Sequence, residues 1–205
     1  MGRFVTSSPL PGSGAVLLRR GKRLEWFTLC WNVVGVVVLA VLAVTASSVA
    51  LAGFGLDSLV EISASAVVLW ELSGAGDARR RRALQLIGIA FVLLAGYVLT
   101  QSVVALLTGH HALPSVGAII WLAVTAIVMF TLAAAKGRTG RALGNPVLVT
   151  EGRVTFIDGL LALAILVGIA LNLVLGWWWA DPVAGFVIVY YAVREAIHIF
   201  RAEVS

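Results

Sequence analysis

Cysteine is all but missing: Cys30 is the single thiol in 205 residues. That excludes an intrachain disulfide and a thiolate-held metal cluster, and leaves packing within the first apolar run as its expected role. Charge is scarce as well. Asp, Glu, Lys and Arg make up 12% of the chain against 60% hydrophobic residues, and the mean hydropathy is +1.02, proportions foreign to a soluble domain. Acids are outnumbered by bases, ten to fifteen, and a pI near 10.1 raises the question of a nucleic-acid partner. The distribution answers it: the bases stand in short clusters between apolar runs, the pattern of membrane topology. No H-E-x-x-H occurs, and no Ser/His or Cys/His pair falls within one apolar run, so the chain does not read as an intramembrane enzyme. No prosthetic group is implied.

What is present is apolar length. Runs cover about 26–49, 51–73, 83–108, 115–135, 147–176 and 180–200, each enough for the roughly 20 residues that cross a bilayer. The breaks are Ala46-Ser47-Ser48, the Gly76–Arg82 segment with its four arginines, Thr108-Gly109-His110-His111 before Pro114, Lys136–Arg141 before Asn145-Pro146, and Gly176–Trp179 before Asp181-Pro182. The expected architecture is an all-α membrane protein of six transmembrane helices over 25–205, preceded by a mobile cytoplasmic tail at 1–24, with no soluble domain after the sixth span. A cleaved signal is not indicated, because Arg19, Arg20, Lys22 and Arg23 directly precede the first long run instead of opening it.

Lys and Arg occupy the N-terminal segment, the 2–3 and 4–5 connections, Arg153 and the C-terminal end (Arg194, Arg201); none lies in the 1–2, 3–4 or 5–6 connections. The positive-inside rule then predicts both termini in the cytoplasm, with Trp177-Trp178-Trp179 as an aromatic anchor at the outer interface. A multi-pass protein of the cell membrane, a bacterial inner membrane in particular, is the expected location.

Three acids break the apolar pattern: Asp57 and Glu61 in span two and Asp158 in span five. An ionisable group inside a bilayer costs several kcal/mol unless paired, hydrated or neutralised, and therefore marks function. Asp57 and Glu61, four apart, share one helix face about 6 Å apart along the axis, and Gly53 and Ser65 extend that row. Glu61 and Asp158 lie on the order of 13–17 Å from opposite ends of their spans, near the midplane of a core about 30 Å thick. No base is expected at that depth, Arg153 being a turn and a half away in sequence. Three clustered carboxylates without a basic partner must hold protons or cations, and hard oxygen donors suit a divalent cation.

Other polar residues read more plainly. Glu151, seven before Asp158, falls on nearly the same face and reads as an interfacial acid paired with Arg153 or a loop base, or as a cation-attracting group at the inner mouth. Asn172 reads as a structural hydrogen-bonding residue. His110-His111 reads as an exposed polar pair, with metal binding as the alternative, and His198 as interfacial. Asp181 reads as the N-cap of span six.

The segments Gly53-Phe-Gly-Leu-Asp57-Ser-Leu-Val-Glu61 and Trp177-Trp-Trp-Ala-Asp181-Pro-Val-Ala-Gly185 resemble the cation diffusion facilitator family, notably its small bacterial members and related vertebrate vesicular zinc-binding membrane proteins. The likeness runs over roughly 25–200. It implies a homodimer of six-helix protomers exchanging a divalent cation for protons by alternating access, with two ligands from span two and two from span five. Carried over, Asp57 and Glu61 match the first pair and Asp158 the second ligand of span five. The first ligand of span five falls on Val154, a departure from the pattern, as are Gly35, where similar bacterial proteins often carry an acid, and the lack of the usual soluble domain. Zinc is the ion the resemblance favours. Without a nitrogen ligand, a set of three carboxylates with water or Thr155 leans towards harder ions such as Mn²⁺ or Mg²⁺. Two functions compete: a proton-coupled divalent-cation transporter, and a metal-binding membrane regulator that does not transport.

Overall fold

The computed structural model describes residues 13–73, 77–109, 112–113 and 115–204. Among these are six α-helices and no strand: α1 (Ser13–Ala46), α2 (Val49–Glu71), α3 (Asp77–Thr108), α4 (Val116–Leu143), α5 (Pro146–Leu175) and α6 (Ala180–Val204). Each contains a stretch long and apolar enough to cross a membrane. A helix suits such a sequence because it satisfies its own backbone where no water is available. The outward faces carry large apolar side chains at high exposure, such as Leu93, Ile127 and Val174, as expected of a surface bathed in lipid rather than water.

The helices alternate in direction. At one end, called here the basic end, Gly21 of α1 packs against Leu148 of α5, Leu143 of α4 and Leu72 of α2. At the other end the Leu113 amide donates to the Ala46 carbonyl (2.7 Å), and the Asn172 side chain donates to the Ala112 carbonyl (2.8 Å), the structural role expected of Asn172. α4 packs most extensively on α5, α3 on α6 and α1 on α2. α2 also touches α3, α5 and α6, which puts its polar row in the interior.

Three segments expected outside the spans prove helical, among them Asp77–Arg82 of the 2–3 connection, which opens α3. Residues 13–24, read as part of a tail, form the opening turns of α1; residues 1–12 lie outside the described residues, as do His110 and His111. The Lys136–Arg141 segment, read as a loop, belongs to α4, which runs on to Gly144. There a left-handed cap (φ 63°) directs its N–H back to the Arg141 and Gly140 carbonyls. Asn145 then caps α5 by accepting from the Leu148 amide at 3.0 Å, with Pro146 in the first turn.

The glycines of the Lys136–Arg141 segment serve contact rather than a turn. A Cβ on Gly140 would sit 2.8 Å from the Val149 backbone nitrogen, and one on Gly152 would sit 3.0 Å from that of Gly137. Small residues allow this approach of α4 and α5, the usual device of membrane helices. Gly140→Ala is therefore expected to lower stability by about 1–3 kcal/mol, the cost of overpacking. Gly96→Ala, where a Cβ meets nothing within 4 Å, should not. Thermal unfolding in detergent checks the pair; equal melting temperatures would refute the close-packing assignment.

Asp181 corrects its expected role. It lies inside α6 rather than before it, and its carboxylate reaches the start of α2: the Ser48 hydroxyl donates to Oδ1, and the Val49 and Ala50 amides point at Oδ2 from 3.1 and 3.5 Å. Ser48 in turn accepts from the Leu51 amide at 3.1 Å. Asp181 thus joins α6 to the exposed amides of α2, where a negative charge also complements the helix dipole. Asp181→Ala should cost about 1–2 kcal/mol, read as a lower melting temperature; an unaltered value would refute the role.

Trp177 and Trp179 stack at 5.1 Å and are each 41% exposed, as an interfacial anchor requires. Cys30, expected to pack inside, lies exposed on α1, because the other side of that helix carries Glu25, Thr28 and Asn32 inward.

Candidate cation site

Two polar rows face each other across the bundle. α2 contributes Asp57, Glu61 and Ser65 at intervals of four; α5, running the opposite way, contributes Asp158, Thr155 and Glu151 at intervals of three and four. Helical periodicity aligns each row on one face. Glu61 sits twelve residues beyond Val49, and Asp158 twelve beyond Pro146, about 18 Å in at 1.5 Å per residue.

The rows meet as rungs. Thr155 donates to Glu61 Oε1 at 3.2 Å, and Ser65 donates to Glu151 Oε1 at 3.4 Å. Asp57 and Asp158, with Glu61, line one small cavity of about 30 Å³, room for a water-sized guest. All three acids are nearly buried, at 7%, 4% and 4% exposure. The sequence-predicted trio therefore converges, and the cavity reaches further: Val154 and Glu195 line it too.

The three carboxylates are held differently. Glu61 is fixed at both oxygens, because the Asn32 amide of α1 donates to Oε2 at 3.1 Å opposite the Thr155 bond. Asp158 has no hydrogen-bond donor at either oxygen. A buried carboxylate with no donor is expensive, and its remaining means of satisfaction is a proton or a cation in the cavity. Among the described residues no three His, Cys, Asp or Glu side chains are already gathered into a metal-holding group. The Asp158 carboxyl stands within hydrogen-bonding reach of the Asp57 and Glu61 carboxyls.

Four participants stand outside the residues that the sequence singles out. Lys136, placed in a loop, is fully buried, and its ammonium donates to Glu25 Oε2 (3.1 Å), Glu151 Oε1 (3.3 Å) and Thr155 Oγ1 (3.1 Å). A base does therefore lie near the acids, and it is not Arg153, which is exposed. Glu25, which directly precedes the first apolar run, is 0% exposed. Glu151 pairs with Lys136, a base of the expected 4–5 connection, the second of its two expected partners, and not with Arg153. Asn32 and Glu195 carried no signal beyond being polar residues within apolar runs, which is itself the mark that could have found them. His198 is exposed.

Residues 85–205, from α3 through the Asp158 helix to the end of α6, match the cation efflux transmembrane domain. This chain belongs to that family. The match and the six apolar helices make this member of the family a multi-pass membrane protein. It is also 24% identical over 149 residues to Transmembrane protein 163 of Xenopus laevis, an alignment covering 70% of this chain and 52% of that protein. The chain thus spans about half the length of the curated relative it matches. The family match contains Val154 and Asp158 but begins after Asp57 and Glu61, so the α2 half of the site stands on geometry.

Proposed function

We propose that this protein carries a divalent metal cation across the membrane, with Asp57, Glu61 and Asp158 as the ligands of its transport site. The observation that carries the reading is the convergence of acids from α2 and α5 on one buried cavity, with both Asp158 oxygens lacking a donor. Rotation of these side chains about the guest completes the shell. Zinc is the first candidate and Mn²⁺ the second, since an all-oxygen set is not selective for zinc. Glu195, on the α6 side of the cavity, is available as a fourth oxygen donor where Val154 supplies none.

Loss of the cation leaves several negative charges in a medium of low dielectric, and protons are the simplest replacement. Proton antiport with alternating access follows: cation bound on one side, protons on the other. The basic end faces the cytoplasm in this scheme, and the protein works as a homodimer. The test is flux in proteoliposomes, with a pH dye inside and Zn²⁺, Mn²⁺, Mg²⁺ and Ca²⁺ added in turn. Metal entry coupled to proton exit is expected for Zn²⁺ or Mn²⁺. Tight binding with no flux would overturn transport in favour of a metal-binding regulator.

A further inference from the structure

On the basic-end side of the Glu61 rung lies an acidic pair that does not line the cavity. Glu25 of α1 and Glu151 of α5 are 0% and 4% exposed, and the Lys136 ammonium of α4 stands between them at 3.1 and 3.3 Å. Its third contact is Thr155 Oγ1, and the Thr155 hydroxyl donates onward to Glu61 Oε1. The ammonium is thus one hydroxyl removed from a ligand of the transport site. Ser65 adds a further oxygen at Glu151.

The balance of this cluster is unequal. An ammonium has three hydrogens, and all three have acceptors in Glu25, Glu151 and Thr155. Glu25 Oε1 is nevertheless buried with no partner. Two carboxylates face one positive charge, and one oxygen remains that the ammonium has no hydrogen left to reach. The four carboxylate oxygens and the Ser65 hydroxyl are hard donors of the kind a divalent cation takes, and a divalent cation would balance both acids.

We propose that Glu25, Glu151 and Ser65 form a second, inner cation station, filled in this conformation by the Lys136 ammonium as a tethered surrogate. A cation passing between the cavity and the basic end exchanges with that ammonium. Lysine suits the task because its charge is compact and rides on a flexible four-carbon stem, so it can leave and return without moving α4. Two buried acids are then never left uncompensated: either the ammonium or the passing ion neutralises them.

The inference rests on transport through the cavity but is tested apart from it. Mn²⁺ bound per chain is counted by electron paramagnetic resonance in nanodiscs for Lys136→Met and for the triple variant Lys136→Met/Glu25→Gln/Glu151→Gln. The single variant is expected to hold one Mn²⁺ more per chain. Both retain Asp57, Glu61 and Asp158, so the cavity's own ion cancels in the difference, and its absence would count against the transport site alone. Equal counts would overturn the inner station. Lys136→Arg provides a second measurement on a chain that keeps its charge. The planar guanidinium forks onto carboxylates and releases them less readily, so Mn²⁺ flux should slow severalfold. A purely structural ion pair predicts no slowing, and an unchanged rate would refute the exchange.

Discussion

Asp158→Asn is expected to reduce divalent-cation flux in proteoliposomes by about 100-fold or more, which at 1.4 kcal/mol per factor of ten corresponds to roughly 3 kcal/mol of lost cation stabilisation. The substitution keeps shape and removes one negative charge. Both Asp158 oxygens are buried with no N–H or hydroxyl donor, whereas Glu61 is already held by Asn32 and Thr155. The Asp158 charge therefore has more to gain from a guest than that of Glu61. The same reasoning predicts the opposite sign for stability: an amide in place of a buried, donor-less carboxylate removes a penalty of about 3 kcal/mol, so the melting temperature should hold or rise. Flux and stability moving apart is the signature of a functional acid. Undiminished flux would refute Asp158 as a ligand, and a steep loss of stability would make it a structural residue.

Val154→His is expected to shift preference towards Zn²⁺ over Mn²⁺ by about tenfold or more, an effect of roughly 1.4 kcal/mol. Val154 already lines the cavity one turn before Asp158, so an imidazole there is placed beside the existing carboxylates. Zinc favours a shell that includes nitrogen, while Mn²⁺ is content with oxygen. Competition between the two ions, measured as flux or as bound metal, reads the ratio. Val154→Leu serves as the control for added volume and should not move it. A ratio unaltered by histidine would show that the cavity's guest does not approach this turn of α5.

Much of the candidate site was legible because lipid makes local pattern decisive. A carboxylate in an apolar run is conspicuous without any knowledge of its neighbours, and helical rise alone gives its depth. Asp57, Glu61 and Asp158 were found that way, and the structure brings them to one cavity. Lys136 was not, because Gly137, Arg138 and Gly140 beside it look like a connection. Glycines that let α4 and α5 touch cannot be told from glycines of a loop until both helices are in place.

Sequence alone determined the six apolar helices and the acids at mid-depth, since hydropathy and the 1.5 Å rise are properties of each segment by itself. Only the tertiary structure decided the partners. The Lys136 ammonium meets Glu25 from 111 positions away, and Ser48 meets Asp181 across 133. Such pairings depend on which helix faces turn towards one another. That choice is made by close packing among helices that are all apolar to the lipid, and so no single segment states which face meets which.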